Sequence, residues 1–554
     1  MFRKNEKHLQ TSLFSFQETL PSKQREQLYS SEEYNFYKIV FCNIKEDIFK
    51  CLYSEKESRP NAPINSMVSA LILKERKDWS YTELFHQIAF NLLIKTAVGL
   101  NQIDEMPFCS STLFYFQNKL DEHYVKTGEN LLEKVFDTLT GEQLKKLGLK
   151  TEILGIHPFG KRTDSFLAAS NIRNYSRLQL LIEVLLRMYR VMSEEDQKRF
   201  KEILSDYTYR SSNKYIYDLK SSELPRETEK IGDIYYRIFH QIKEDYKETK
   251  EFRIFSRAYK EHFKEEKEKI VVKKGEELKS SCLQSPDDED ATYREKNETI
   301  SKGQSINIVE TANPVNPIEL INDICVESNN TNDDKILNKR IEKIKEKTPK
   351  LNEIHSDGAF GSEENDKLFD KLNITHVQTA IKGRKPGVEI IIEKDEEGNY
   401  QVSCPFQKVE AVLSAKKYKA EFELDICQEC KFAGKCSTIE NNHFRTYNFT
   451  KADYLKNKRH NAINNIPKER KYLRNNVEAT VSEFKRKFHN GKLKVRGYFK
   501  TTLFAFSMAI SINFGRIFRF LKELSPNTSI FDSFWQYFLL NRWQRSIIRA
   551  MAVI

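Results

Sequence analysis

The stretch Leu351–Arg384 is the part of this sequence that most constrains how the chain folds. Its pattern predicts a short strand ending at Asp357, a tight turn at Gly358, a helix that begins near Ser362, and a second strand. Open α/β sheets place ligand chemistry at the carboxyl ends of their strands. Asp357 is therefore a candidate functional carboxylate, although a solvated aspartate in a turn would leave the same pattern.

Length and charge restrict the class of protein. A chain of 554 residues is expected to form several domains, and its net charge of +11 favours a polyanionic partner such as nucleic acid over a merely soluble basic protein. The N-terminus lacks the apolar segment of a signal peptide. The most apolar stretch, Leu503–Phe520, is interrupted by Asn513, Arg516 and Arg519, which predicts a core helix. We expect a cytoplasmic, nucleoid-associated protein with no membrane contact.

The N-terminal part, residues 1–150, predicts an all-α domain. Serines in N-cap positions mark helix starts at Ser30 or Ser31, at Ser80, and at Ser110 or Ser111. Short helices with tight turns are typical of helix-turn-helix DNA readers, and a plain helical bundle fits the pattern nearly as well.

The rest of the chain divides by its periodicity. The pattern predicts a first core strand carrying Asp164 (151–174) and a helical insertion ending in a mobile linker or loop from about Lys273 (175–299). Further core strands with Asp357 (300–395) and a cysteine-rich insert (396–450) follow. The chain then continues with a basic helix that carries Glu478 and a core helix (451–525), and with a C-terminal amphipathic helix (526–554).

Three acidic motifs occur in the predicted strands and helix. Asp164 in TDSFLAASNIR, Asp357 in HSDGAFGSEEN and Glu478 in RNNVEATVSEFKRKF resemble the three acids of the DDE transposases of bacterial insertion sequences. The resemblance implies an α/β, ribonuclease-H-like catalytic core, interrupted by a helical insert and a cysteine-rich β/zinc insert and preceded by an all-α domain. The family's arginine four residues before the glutamate and lysine seven after it are present as Arg474 and Lys485.

The chemistry of such enzymes explains why the acids come from separate elements. Two Mg²⁺ ions, with Mn²⁺ as an alternative, stabilise both the attacking and the leaving oxygen of an in-line phosphoryl displacement. Carboxylates on rigid elements supply the hard oxygen ligands that these ions need. By itself, Glu478 looks like one of many glutamates on a solvated basic helix, and only the joint pattern favours the catalytic role.

Two positions depart from the family pattern. Phe166 stands where a small hydroxyl residue is usual, two residues after Asp164, and a bulky ring there is expected to narrow the metal pocket. The tyrosine usual seven residues before the glutamate is displaced, with Lys471 at that position and Tyr472 beside it. These departures leave open an alternative, a catalytically impaired transposase-derived protein that regulates through DNA binding.

Four cysteines, Cys404, Cys427, Cys430 and Cys436, form the pattern C-x22-C-x2-C-x5-C. Two thiolates on one tight turn can reach the same tetrahedral ion, which favours structural Zn²⁺ over reduced thiols or a redox pair. His443 is a possible substitute ligand, and a surface histidine is the more ordinary interpretation.

Basic residues are dense between Lys451 and Lys500, which favours a track for DNA phosphates. The candidate DNA contacts are Arg474, Lys485, Lys471 and Arg496. The hypothesis is a transposase that binds the terminal inverted repeats of its element as double-stranded DNA and acts as a homodimer or larger assembly on paired ends. Water would hydrolyse a phosphodiester, and the freed 3′-hydroxyl would attack target DNA.

Overall fold

A computed structural model describes residues 1–524, with gaps at 11–14, 57–58, 147–159, 210, 267–268, 297, 314–315, 380–386, 415–416, 466 and 468–471. The predicted C-terminal helix at 526–554 and the candidate DNA contact Lys471 lie outside the described residues.

The N-terminal region is helical, as predicted. Its α-helices are α1 (Phe16–Thr19), α2 (Ser22–Ser30), α3 (Glu32–Ile39), α4 (Ile64–Lys77), α5 (Tyr81–Phe90), α6 (Leu92–Ala97), α7 (Ser110–Thr127) and α8 (Leu131–Lys146). Ser31 caps α3, and Ser80 forms a reciprocal capping box with Glu83 at the start of α5. Helix α7 differs slightly from the prediction, because its N-cap position is occupied by Cys109.

The central sheet contains β1 (Gly160–Ala169), β4 (Thr292–Lys296), β5 (Thr299–Thr311), β6 (Ile321–Ser328), β7 (Glu353–Ser356) and β8 (Thr375–Gln378). Strand β1 lies between β5, which is antiparallel to it, and β7, which is parallel. Strand β8 continues the parallel half beside β7, while β6 and β4 pair with successive parts of β5. The first strand of the sheet is therefore central, with long-range partners on both sides.

Two helices connect the strands of the parallel half. Helix α14 (Asp333–Lys347) leads from β6 to β7 and buries the four residues that its periodicity predicts, Ile336, Leu337, Ile341 and Ile344. Helix α15 (Glu363–Leu372) is capped by Ser362 and leads from β7 to β8. The strand, turn, helix and strand expected around Asp357 are thus present.

The helical insertion after β1 has its own hydrophobic core. It comprises α9 (Arg177–Val191), α10 (Glu194–Thr208), α11 (Ser212–Tyr217), α12 (Leu224–Tyr246), α13 (Lys250–His262) and a hairpin of β2 (Phe263–Glu266) and β3 (Lys269–Val272). The segment that follows was predicted to be a mobile linker or loop, and it contains a loop that leads to the short strand β4. Asp288 is buried there and accepts hydrogen bonds from Ser170 and from the backbone N–H of Gly497, so distant groups stabilise a segment with few apolar residues.

The cysteine-bearing insert forms a second sheet with a separate core. Its strands are β9 (Ile391–Lys394), β10 (Tyr400–Ser403), β11 (Lys408–Ser414), β12 (Lys417–Glu423), β13 (Ile439–Glu440) and β14 (Phe444–Phe449), with the short helix α16 (Leu424–Gln428) after β12. The predicted hairpin turn at Gly398 joins β9 to β10.

The last described elements return the chain to the central sheet. They are α17 (Lys451–Asn464), α18 (Val477–Lys485) and α19 (Tyr498–Leu524). Residues of α19 share one hydrophobic cluster with the N-terminal helices and with β1, β5 and β6, so the N-terminal helices and the sheet have a common core. Helix α19 is long and apolar enough to cross a membrane, but 89% of its most apolar window is buried, as in the core helix of a soluble protein.

Candidate active site

Asp164 and Asp357 are brought together by the parallel pairing of β1 with β7. In that ladder Arg162 is opposite His355, and each acid follows its strand residue by two positions, so the two carboxylates lie at the same level of neighbouring strands. Asp357 also caps the short 3-10 helix Gly358–Phe360 by accepting a 2.8 Å hydrogen bond from the backbone N–H of Ala359. The local fold therefore fixes both the position of Asp357 and the orientation of its side chain.

The side chain of Asp164 is only 14% exposed and has two polar partners. Its Oδ1 accepts a 2.9 Å hydrogen bond from the backbone N–H of Ser165, and its Oδ2 accepts a 2.8 Å bond from Arg474. Burial raises the pKa of Asp164 and the nearby charge of Asp357 raises it further, while Arg474 opposes both effects. Two carboxylates in one partly buried place repel each other, which is the electrostatic signature of a cation site.

The third acid, Glu478, lies in the first turn of α18 and is 64% exposed. It forms an ion pair with Arg474, and the same guanidinium also pairs with Asp164. The structure thus links Glu478 to Asp164 through an arginine rather than placing the two carboxylates in contact. In the part of the chain that the structure describes, no group of three or more His, Cys, Asp or Glu side chains is arranged so that it could bind one metal ion.

Arg474 does not lie on the same α-helix as Glu478. It belongs to the 3-10 helix Leu473–Asn476, which leads directly into α18. The carbonyl of Leu473 accepts a 3.2 Å hydrogen bond from Arg162 of β1, which ties this turn to the central strand. The spacing of four residues still allows Arg474 to pair with Glu478.

Phe166 does not lie in the space between the acids. It is 5% exposed and packs against Phe484 and Phe488, with ring centroids 5.5 and 6.3 Å apart. The expectation that its ring narrows the metal pocket was wrong, because the ring is part of the core beneath α18. Lys485 lies over the same ring, with its Nζ 5.9 Å from the centroid, at the exposed edge of this core.

A buried charge network holds α18 against the sheet. Glu310 of β5 is fully buried and accepts hydrogen bonds from Arg162 at 2.6 Å, from Thr480 at 2.8 Å and from Arg516 at 2.9 Å. These partners belong to β1, α18 and α19. The network therefore fixes the helix that carries Glu478 relative to the strand that carries Asp164.

Asp333 is a fourth acid near the site that sequence reasoning missed. It begins α14, and its carboxyl group interacts with the side chain of Ser165 and with the charge of Asp357. Burial raises its pKa, and its Oδ1 is buried with no hydrogen-bond partner among the described residues. In the sequence, Asp333 and Asp334 form an ordinary acidic helix start, so only the tertiary fold distinguishes the first from the second.

The remaining candidate DNA contact, Arg496, lies away from the acids. Its Nη1 is 3.6 Å from Asp287 in the loop before β4, and its side chain is 49% exposed. It therefore lies outside the acid cluster.

The four cysteines lie around the edge of the second sheet, and none of them is in a disulfide bond. Cys404, Cys427 and Cys436 pack against the same hydrophobic cluster, and burial raises the pKa of Cys427, with Cys404 and Cys436 adding to the shift. Three sulfurs accept hydrogen bonds: Cys427 from Gln407 at 3.4 Å, Cys430 from the backbone N–H of Phe432 at 3.4 Å, and Cys436 from Thr438 at 3.3 Å. His443 is exposed.

Comparison with known protein families gives a match in the C-terminal part of the chain. The central strands and the paired acids define a mixed α/β protein with a candidate cation site, and residues 400–518 match the family model described as a transposase DDE domain. This match, over about a fifth of the chain, supports a DDE transposase. The matched segment contains Glu478, Arg474, Lys485 and the four cysteines, whereas Asp164 and Asp357 precede it. Neither the curated proteins nor the solved structures gave a match.

Proposed function

We propose that this transposase binds the ends of its own mobile element as double-stranded DNA and catalyses metal-dependent phosphodiester hydrolysis followed by strand transfer. The observation that carries the proposal is the β1–β7 register, which sets Asp164 beside Asp357. The strand order β6-β5-β1-β7-β8, with an antiparallel and a parallel half, supports a ribonuclease-H-like core.

The acids fit a magnesium site by their chemistry and their position. Asp164 presents hard oxygen ligands from the middle of β1 and Asp357 from the residue after β7, and Glu478 faces Asp164 across a single guanidinium. When bound there, Mg²⁺ supplies a polarised water and charge stabilisation for an in-line displacement at phosphorus. The protein itself orients the acids through the cap at Ala359 and the network at Glu310.

The candidate DNA contacts are exposed cations in the C-terminal part of the chain. Lys485 is exposed at the end of α18, and Arg496, close to Asp287, is a second exposed cation. Cations in these positions would hold phosphates on either side of the scissile bond. The N-terminal helices would contact the element's end, and two subunits would pair the two ends as a homodimer or larger assembly.

We further propose that Cys404, Cys427, Cys430 and Cys436 hold a structural Zn²⁺. Three of these sulfurs accept hydrogen bonds from nearby polar groups, which is the kind of contact that orients the ligands of a metal site. Four protein ligands would leave no open position, so the ion would stabilise the insert and take no part in catalysis.

The alternative function, a catalytically impaired DNA-binding regulator, loses its main argument. It depended on Phe166 narrowing the metal pocket, and this ring is packed in the core. DNA binding without cleavage would be the behaviour that favours it.

A cleavage assay tests the proposal. The substrate is a plasmid carrying the DNA that flanks the coding sequence on both sides, incubated with the full chain and Mg²⁺. We expect cleavage at the element's ends by the native protein and by Glu364→Gln, a control at an exposed residue of the helix after Asp357. Asp357→Ala should abolish cleavage while DNA binding persists. Equal cleavage by Asp357→Ala and by the control would overturn the assignment.

A further inference from the structure

Arg474 lies between two acids of the candidate site, Asp164 and Glu478. Its Nη2 lies 2.8 Å from Oδ2 of Asp164, and its Nη1 pairs with Oε1 of Glu478. Its side chain is only 12% exposed, whereas that of Glu478 is 64% exposed. The guanidinium is therefore inserted between the two carboxylates and does not extend from the surface.

One donor of this guanidinium is left without an acceptor. The Nε–H of Arg474 is buried and has no hydrogen-bond partner among the described residues. A buried donor without a partner is costly, particularly on a charged group. In this conformation Arg474 pairs with two acids, while its Nε–H has no acceptor among the described residues. A further hydrogen-bond acceptor from a ligand would therefore favour another position of the side chain.

A phosphate is the acceptor that suits this arginine. Guanidinium groups bind phosphate, as they bind carboxylate, with two parallel N–H donors. Arg474 lies in the exposed turn before α18, next to Asn475 and Asn476, which are exposed. A phosphodiester that approaches along this turn could therefore bind Arg474 as it leaves the acids.

A divalent cation and this guanidinium compete for the same oxygens. Both need Oδ2 of Asp164 and a carboxylate oxygen of Glu478, and two positive groups cannot share that space without strong repulsion. Without DNA, Arg474 already neutralises the charge that would attract the ion. With DNA, the phosphate would withdraw the arginine and would itself add negative charge at the site.

We propose that Arg474 occupies the position of the metal ion until DNA phosphate binds its guanidinium. In this role, which we call the place-holder, Arg474 keeps the affinity of the protein for Mg²⁺ low. This inference rests on the proposed function, because it takes Asp164 and Glu478 as ligands of the cation. DNA and metal then bind with positive coupling, and by linkage each increases the affinity for the other by the same factor. The consequence is that the nuclease stays inactive when it is free in solution.

Metal binding by the full chain tests the proposal without an activity readout. Mn²⁺ affinity is measured by titration calorimetry for the native protein, for Arg474→Gln, and for Arg486→Gln, which removes an exposed arginine at the end of α18. Each protein is measured alone and with a short duplex that contains a phosphorothioate in place of the scissile phosphate. Thermal unfolding verifies that each variant is folded.

Without DNA, Arg474→Gln should bind Mn²⁺ about 10-fold more tightly than the native chain, and Arg486→Gln should match the native chain. The duplex should increase Mn²⁺ affinity for the native chain by a similar factor and for Arg474→Gln much less. Arg474→Lys retains the charge but lacks the forked N–H donors of a guanidinium, so its Mn²⁺ affinity should lie between those of the native chain and Arg474→Gln. It serves as the second variant if Arg474→Gln does not fold.

Two different failures can be distinguished. Equal Mn²⁺ affinity for the native chain and the Arg474 variants, with binding still lost in Asp164→Asn, would overturn the place-holder and leave the cation site intact. Unchanged Mn²⁺ binding in Asp164→Asn would contradict the cation site itself, and with it the proposed function.

Discussion

Arg162 lies directly opposite His355 in the parallel ladder between β1 and β7, and this single pairing sets the level at which Asp164 and Asp357 meet. The two acids are 193 positions apart in the chain, and only the sheet brings them together. The same Arg162 pairs with the buried Glu310 and donates to the carbonyl of Leu473. One strand therefore positions the acids, the last helix and the arginine between them.

Asp357→Asn should separate catalysis from stability. The asparagine oxygen can still accept the N–H of Ala359, so the turn is retained, while the repulsion between Asp357 and Asp164 is removed. We expect DNA cleavage to fall about 100-fold or more and the melting temperature to be unchanged or higher. A variant that cleaves normally, or one that unfolds, would contradict the site role of Asp357.

Glu310→Gln should be strongly destabilising. Glu310 is fully buried between Arg162 and Arg516, and removing one partner of a buried ion pair leaves charge without compensation, at a cost of about 3 kcal/mol. The matched control is Glu393→Gln at the exposed pair with Lys408, where the expected loss is below about 1 kcal/mol. Urea unfolding midpoints compare the two variants, and similar midpoints would show that the buried network is dispensable.

Stability should fall at acid pH because of His376. This histidine is buried against Phe369 and Ser356, and burial lowers its pKa to about 3 from 6.5 in the unfolded chain. Between those two pH values the unfolded chain binds a proton at His376 that the folded chain does not bind. The free energy of unfolding is therefore unaffected by this histidine above pH 6.5 and falls as the pH decreases below it. His262, with a pKa of about 4, contributes in the same direction.

His376→Asn should flatten this dependence. The part of the slope due to His376 disappears, and the part due to His262 remains. Melting temperatures between pH 4 and 7 measure the effect, and His443→Asn at an exposed histidine is the control. Parallel profiles for His376→Asn and the native chain would refute the role of His376.

The cysteine insert should contain zinc. Elemental analysis of the purified full chain should give about one Zn²⁺ per chain, and Cys430→Ser should lose the metal and melt at a lower temperature. Cys325→Ser, at a cysteine on β6 outside the insert, should retain it. A native chain without zinc would favour reduced thiols.

The sequence allowed the local elements around the site to be predicted, because their signals are local. Ser362 caps α15, Ser80 caps α5, and the four isoleucine and leucine positions of α14 are buried, all from short-range patterns. The C-terminal motif around Glu478 also coincides with the segment that matches the transposase DDE family.

The features that the sequence did not reveal depend on distant partners. The loop before β4 is held in place by the hydrogen bonds that Asp288 accepts from Ser170 and Gly497, which are distant in the sequence. Composition alone therefore indicated a mobile linker or loop. The insertion of Arg474 between Asp164 and Glu478 requires the turn at Leu473 to be tied to β1. The packing of Phe166 against Phe484 depends on α18, which is distant in the sequence.

The most direct test of the account is a crystal structure of the full chain with Mn²⁺ and a duplex carrying the element's end, measured at the manganese absorption edge. The account predicts an anomalous peak bound by carboxylate oxygens of both Asp164 and Asp357, with Glu478 released from Arg474. Manganese bound elsewhere, with Asp164 and Asp357 free of metal, would contradict it.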